Sequence, residues 1–460
     1  MSRWSRSLRI IGSLAAAALL AAACGTASTG TSGTSGTSGA STTSGSSSST
    51  TSAKPTASAP GITANQIVLG STQPLTGPAA PGYSEIAPAS NAVFQWANAH
   101  GGIYGRKIVY NYLDDAYNPT ETVQKTRQLL AEPVFADFDP LGTPTQLQVQ
   151  GLLNSQKVPQ LFVASGCACW SNPAYPYTTG WQTNYVIEGK VLGKYVESHF
   201  KGKKIAYVYQ DDEFGQDGVK GLDQEIPASQ VVARQPYSIA QLLQATGLGD
   251  QMSKVQAAGA QVVVMFTIPA ATAEALLGGA KLGLKAQYVV SNVGSDVITL
   301  SGLVSVISGG KAGAALLNGI ISDDYLPSPA DLSNPWISLF HQIYEKYDNT
   351  SKNKFDGNTE YGMAVAFTML DLLQAAGPNP TRASLVATLA AKGPTFNTPG
   401  LVPLSYSSSD HYGFEGAQIG VITGGKFVLS GPIYQTTNSG PITTYTGSPS
   451  TPPSFTNPTF

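Results

Sequence analysis

The sequence predicts an α/β protein of two Rossmann-like lobes with parallel-rich sheets. Two observations carry this. Apolar, strand-like runs alternate with amphipathic helical stretches from Ile62 to Tyr434, and that alternation is the signature of strands crossed by helices. The alternation also comes as two series, parted by a stretch with no clear period, so each series reads as one lobe. The length of 460 residues is enough for two or three domain-sized units. A net charge of −2 with no Lys/Arg cluster argues against nucleic acid as a partner.

Taken in order, the first 23 residues read as an export signal. Arg3, Arg6 and Arg9 precede "IIGSLAAAALLAAA", an apolar core too short and too rich in Ala for a firm membrane span. Residues 25–60 are Gly/Ser/Thr repeats that cannot bury a core. As a flexible coil they would span roughly 30–36 Å, the length of a tether. The Pro/Ser/Thr-rich tail, residues 435–460, is expected to be disordered.

In the first series, "QIVLGST" at Gln66 precedes the helical "ASNAVFQWANAH", where Val93, Trp96 and Ala97 share a face. "RKIVYNYLDD" precedes a helix opened by Asn118, Pro119 and Glu121. "VFADFD", a helix after Thr143 and "QLFVA" continue the rhythm. The aperiodic "YPYTTGWQTNY" marks the crossing, and "KKIAYVYQ", "SQVVARQPYS", "AQVVVMFTI" and "KAQYVVS" form the second series. The chain is expected to return near "GIISDDYLPSPAD", where Pro327 and Pro329 end a strand. Lobe 1 is thus residues 61–185 with 320–408, and lobe 2 is 186–319 with 409–434.

In open α/β sheets, ligands sit off the carboxyl ends of strands, beside helix N-termini. "LGTPTQ" at Leu141 lies on such a loop. Thr143 fits an N-cap, Pro144 the first helical position and Gln146 the reciprocal partner of a capping box. Such a helix start suits an anion, although most caps bind nothing.

"PLTGP", "NAHGGIYGRKI" and "DDAYNP", at these spacings, resemble the type I periplasmic solute-binding proteins of ABC importers, in the leucine/isoleucine/valine branch. The likeness continues through "DDEFGQDG" and "YGMAVAFTML". It implies two lobes joined by a hinge and closing on a ligand. It also implies that Gly142, Thr143, Ala164, Ser165 and Gly166 hold the ligand's carboxylate and amino groups. On the same basis Tyr83 lies near an aromatic that packs on the ligand, and Phe214 and Ile268 match closing positions of lobe 2. Asn292 stands where the family has a carboxylate for the ammonium group. An amide supplies no charge; either Asp211, Asp212 or Glu213 compensates, or the ligand has no amine. "LLAAACG" resembles a lipoprotein signal, which would acylate Cys24 and anchor the chain to the outer face of the cell membrane; simple secretion is the alternative.

"SGCACW" places Cys167 and Cys169 beside this loop, as two thiols, a local disulfide or a redox pair. A zinc half-site there lacks its other half, since His100, His199, His341 and His411 lie far apart in sequence. No hydrolase elbow, Walker loop or His-Glu-x-x-His motif is present. The pairs Asp114–Asp115 and Asp323–Asp324 read as turn residues at strand ends. The expectation is a solute-binding protein, needing no metal or cofactor, that captures a small hydrophobic carboxylate such as an apolar amino acid for an ABC permease. A ligand sensor of the same fold, or a thiol–disulfide enzyme, remains as an alternative.

Overall fold

The computed structural model describes residues 54–348 and 355–458. The expected signal, the acylated Cys24 and the tether up to residue 53 lie outside the described residues.

The first sheet is wholly parallel. Its strands are β1 (Gln66–Gln73), β2 (Lys107–Asp114), β3 (Ala136–Phe138), β4 (Gln160–Val163) and β5 (Thr178–Gly180), in the order β2-β1-β3-β4-β5. Between them run a kinked turn α1 (Ala80–Tyr83) and helices α2 (Ile86–Ala99), α3 (Pro119–Ala131) and α4 (Thr143–Ser155). The start of α3 is as the sequence indicates: Asn118 accepts the Thr120 amide at 2.9 Å, with Pro119 next.

The chain then enters the second lobe through α5 (Tyr185–His199). Strands β6 (Ile205–Gln210), β7 (Val231–Tyr237), β8 (Val262–Phe266), β9 (Gln287–Val290) and β10 (Ile321–Asp324) pair in parallel, crossed by α6 (Glu213–Glu225), α7 (Gly249–Ala257), α8 (Pro269–Leu282) and α9 (Val297–Ile307). The run VVVMF of β8 is buried throughout, as a strand covered on both faces requires. Helices α10 (Pro335–Tyr347), α11 (Gly357–Ala376) and α12 (Arg382–Lys392) return to the first lobe, where α10 and α11 pack on α2. Antiparallel strands β11 (Gly416–Thr423), β12 (Lys426–Gln435) and β13 (Thr443–Tyr445) then complete the second sheet.

Three expectations change. The return to lobe 1 follows Asp324 rather than preceding residue 320, because β10 pairs with both β9 and β11 before the prolines end it. Residues 54–60, expected in the tether, dock on lobe 1. There Arg106, almost fully buried, donates to the carbonyls of Thr56, Thr63 and Pro378. The tail, expected to be disordered, is tied down at each end. Lys190 of α5 donates to Thr436 Oγ1 at 2.8 Å and to the Thr437 carbonyl at 2.7 Å, and Trp96 donates to the Phe455 carbonyl at 2.9 Å. Composition reads as disorder where apolar area is scarce, but here the tail's backbone carbonyls answer donors buried in both lobes.

Replacing Lys190, which is only 1% exposed, tests that tie. Lys190→Met should destabilise the fold by about 2 kcal/mol through lost charge-assisted bonds. Limited proteolysis should then remove residues 441–458 faster than in the parent.

Candidate functional site

The chain crosses between lobes three times, after β5, after β10 and before β11. Between the lobes lies a cavity of about 190 Å3. Its lobe 1 wall is built at the carboxyl end of β3. Gly142 turns the chain into α4 at φ +109°, where a β-carbon would lie 2.6 Å from the Tyr117 ring. The residue must be Gly for the helix to start there.

The capping expected of Thr143 and Gln146 does not form; Gly142 occupies the N-cap and no side chain caps the helix. Thr143 Oγ1 instead pairs with Ser165 Oγ at 2.7 Å, both buried. The Gln146 amide turns under the sheet edge and donates to Thr72 Oγ1 at 2.9 Å. Buried polar groups at the strand ends need partners, and that demand overrides the local capping preference. The consequence is a helix end open towards the cavity, with its dipole uncompensated by any side chain of its own.

Seven of the expected site residues line this cavity: Tyr83, Gly142, Thr143, Ala164, Phe214, Ile268 and Asn292. Ser165 and Gly166 stand behind them, Ser165 supporting Thr143 and Gly166 accepting the Tyr185 amide at 2.7 Å. On lobe 2, Phe214 opens α6 and packs 4.5 Å from the Tyr185 ring, while Ile268 caps α8. The lobes are drawn together. The Tyr83 hydroxyl donates to the Val293 carbonyl at 2.8 Å, and the Gly357 amide donates to Asp296 Oδ2 at 3.0 Å.

The acids considered for the ammonium role, Asp211, Asp212 and Glu213, are not on the wall; Asp212 caps α6 by accepting the Phe214 amide at 3.0 Å. Four other carboxyls line the cavity: Asp296, Asp324, Asp356 and Glu360. Asp324, read from the sequence as a turn residue, does accept two turn amides, but it also faces the cavity. Two signals for these acids existed in the sequence. Asp324 ends a strand, where ligands gather, and Glu360 is a charge in the first turn of a helix that is otherwise apolar nearly all round. Cys167 and Cys169 form a local disulfide beside the lobe 1 wall.

Beneath Asn292 lies a further pair. Glu188 of α5 accepts the Asn292 amide at 2.7 Å. Its second oxygen and both oxygens of Asp323 are buried without a hydrogen-bond partner. Each acid acts on the other's ionisation, and two neighbouring buried carboxyls avoid a double charge by keeping a proton between them. Burial lifts Glu188 to about 7, and burial together with the Glu188 charge lifts Asp323 well above the carboxylate range.

The sign for stability follows. The folded state keeps a proton that unfolded Glu188 releases near pH 4.5, so the pair costs stability as pH rises from there to about 7. Glu188→Gln keeps an acceptor for the Asn292 amide and gives Asp323 a permanent donor. Between pH 5 and pH 8 the melting temperature of this variant should gain on the parent; parallel curves would rule out the shared proton.

The comparisons with known proteins fit this geometry. The family model for the periplasmic binding proteins matches residues 66–426. A Leu/Ile/Val-binding protein homolog 1 of Brucella abortus (strain 2308) is 23% identical over 278 residues, 58% of this chain and 68% of that protein. Among solved structures, a branched chain amino acid ABC transporter from Thermus thermophilus with bound valine shares the fold at TM-score 0.70 and 20% identity, over 81% of this chain and 97% of the other. A fatty acid ABC transporter substrate-binding protein from Thermomonospora curvata does so at TM-score 0.70 and 20% identity, over 83% and 95%. The chain therefore belongs to the periplasmic binding protein family, as an extracytoplasmic solute-binding protein of type I fold rather than an enzyme.

Proposed function

We propose that this protein captures a small hydrophobic carboxylate, an apolar amino acid before others, and delivers it to an ABC permease from a lipid anchor at Cys24. The observation that carries the reading is the cavity between the lobes, with the uncapped start of α4 on one wall and Phe214 and Ile268 on the other. Free amides and a positive dipole end suit a carboxylate. The hydroxyl of Thr143, held by Ser165, adds a fixed polar contact. Tyr83, Ala164 and Asn292 complete the proposed contact set.

Size supports a small ligand. A cavity of 150 Å3 holds benzene, and drug-sized ligands need about 300 Å3 or more. The space of about 190 Å3 here suits a compact amino acid and leaves little room for a long acyl chain.

Capture works by differential affinity. A ligand favours closure only through contacts that the open form lacks. Lobe 1 offers Thr143 and the α4 end before closure; Phe214, Ile268 and Asn292 reach the ligand only once the lobes meet. The Tyr83–Val293 and Gly357–Asp296 bonds form in the same movement and hold the closed state.

The test is direct. The mature chain, purified from cells grown in rich medium and then denatured, should release leucine, valine or a related amino acid, read by mass spectrometry. Release of an amine-free acid keeps the trap and moves its substrate class, while release of a sugar or nucleoside refutes the carboxylate reading. Thr143→Val should weaken binding of the recovered ligand about tenfold, the value of one hydrogen bond.

A further inference from the structure

The acids on the cavity wall are not equivalent. Asp296 caps α9, accepting the Thr299 amide at 2.7 Å, and its other oxygen takes the Gly357 amide across the cleft at 3.0 Å. Asp356 caps α11, accepting the Thr359 amide at 2.9 Å. Both are committed to backbone. Glu360, in the first turn of α11, is 1% exposed, and its Oε1 has no hydrogen-bond partner. Asp324 uses only Oδ1, for the amides of Tyr325 and Leu326 at 2.8 and 3.0 Å. Asp324 is also the charge that acts most strongly on Glu360. Among the described residues on the wall the one basic side chain is Lys426, which is exposed. A buried carboxylate without a cation is costly, and a missing cation is one that a ligand can bring.

We propose that Asp324 and Glu360 form a cation-binding corner of the cavity, and that the ligand carries a protonated nitrogen held there rather than at Asn292. The inference rests on the solute-capture reading and narrows its substrate class to amine-bearing solutes. It assigns the ammonium role to residues on β10 and α11.

A linked proton follows. Burial raises Asp324 to about 7 and, with the charges of Asp324, Asp356 and Asp296, holds Glu360 well above the carboxylate range. The other titratable groups facing this corner are the Glu188–Asp323 pair of α5 and β10 and the phenol of Tyr325. An arriving ammonium favours the ionised acids, so binding near neutral pH expels a proton. Below the raised values protons compete with the ligand, and affinity falls as pH falls.

Calorimetry on the mature chain with three probes of one skeleton tests this: leucine, 4-methylpentanoate and isopentylamine. Leucine should bind at least a hundredfold more tightly than 4-methylpentanoate. At pH 7 the leucine heat should vary with the ionisation enthalpy of the buffer in the sense of proton release. Asp324→Asn and Glu360→Gln should each weaken leucine at least tenfold and reduce the released proton, with melting temperatures near the parent's. The parent's buffer dependence remains decisive if either variant misfolds. Equal binding of 4-methylpentanoate and leucine, or unchanged leucine binding in both variants, overturns the cation corner and leaves solute capture standing. Binding of isopentylamine with neither acid overturns the carboxylate reading and supports the corner. Failure of all three probes at 10 mM overturns both.

Discussion

Three chain crossings converge on one side chain, Trp181, and the site depends on that convergence. Trp181 lies on the first crossing, Tyr325 on the second and Phe414 on the third. The Trp181 ring meets those of Tyr325 and Phe414 edge-on at 6.0 and 5.1 Å, and its indole N–H donates to Thr368 of α11 at 2.9 Å. The backbones are joined as well: the Phe414 amide donates to the Trp181 carbonyl at 3.0 Å. Gly413 must lack a side chain, because a β-carbon there would sit 1.6 Å from that carbonyl oxygen. The junction is dry and aromatic, and the strand ends on either side of it are fixed by ladders. The pivot therefore sets where the two walls meet, and Tyr361 of α11, 5.2 Å from the Trp181 ring, carries the neighbouring Glu360 to the cavity with it.

The second constraint is electrostatic. The region next to the pivot collects Glu188, Asp323, Asp324, Asp356 and Glu360, and burial lifts every one of them above its ordinary range. A fold selected for stability alone would replace such groups by apolar ones. Their arrangement differs by depth. Glu188 and Asp323 lie away from the wall and limit their charge by retaining a proton, and Asp296 and Asp356 satisfy helix ends. On the wall itself, Asp324 accepts amides at one oxygen, and Glu360 buries an oxygen that has no partner. Acids left without a full set of partners on the wall of a cleft suit a partner that arrives from solution.

The sequence made the alternation of strands and helices legible because parallel strands buried on both faces are continuous apolar runs, and VVVMF is short and β-branched enough to read as one. The loop at Gly142 was legible for a related reason: a Gly followed by a helix start after a short apolar strand occupies the ligand end of an α/β sheet. What escaped was set by contacts remote in sequence. Thr143 and Gln146 read locally as a capping box, but Ser165 and Thr72, brought alongside by β4 and β1, take their side chains instead. The tail looked unstructured because its order comes from Lys190 and Trp96, far back in the chain. Asp324 looked like a turn residue and Glu360 drew no reading, since nothing local shows that the end of β10 and the start of α11 meet at one cavity.

These features together favour one of two kinds of ligand that the fold alone does not separate, the one with an amine over the one without. An amine-free carboxylate could use the open end of α4 but would enter a cavity already lined by four carboxyls. It would do so without supplying any countercharge. A zwitterion supplies one. At an effective dielectric near 20, opposite unit charges about 4 Å apart attract by about 4 kcal/mol, from which the cost of expelling the proton held by the raised acids is subtracted. Asn292 cannot provide that attraction, because its side-chain amide carries no charge. The replacement of a carboxylate by an amide at that position thus need not signal the loss of amine recognition. The charge has another place to stand, on the strand and helix that the Trp181 pivot brings together.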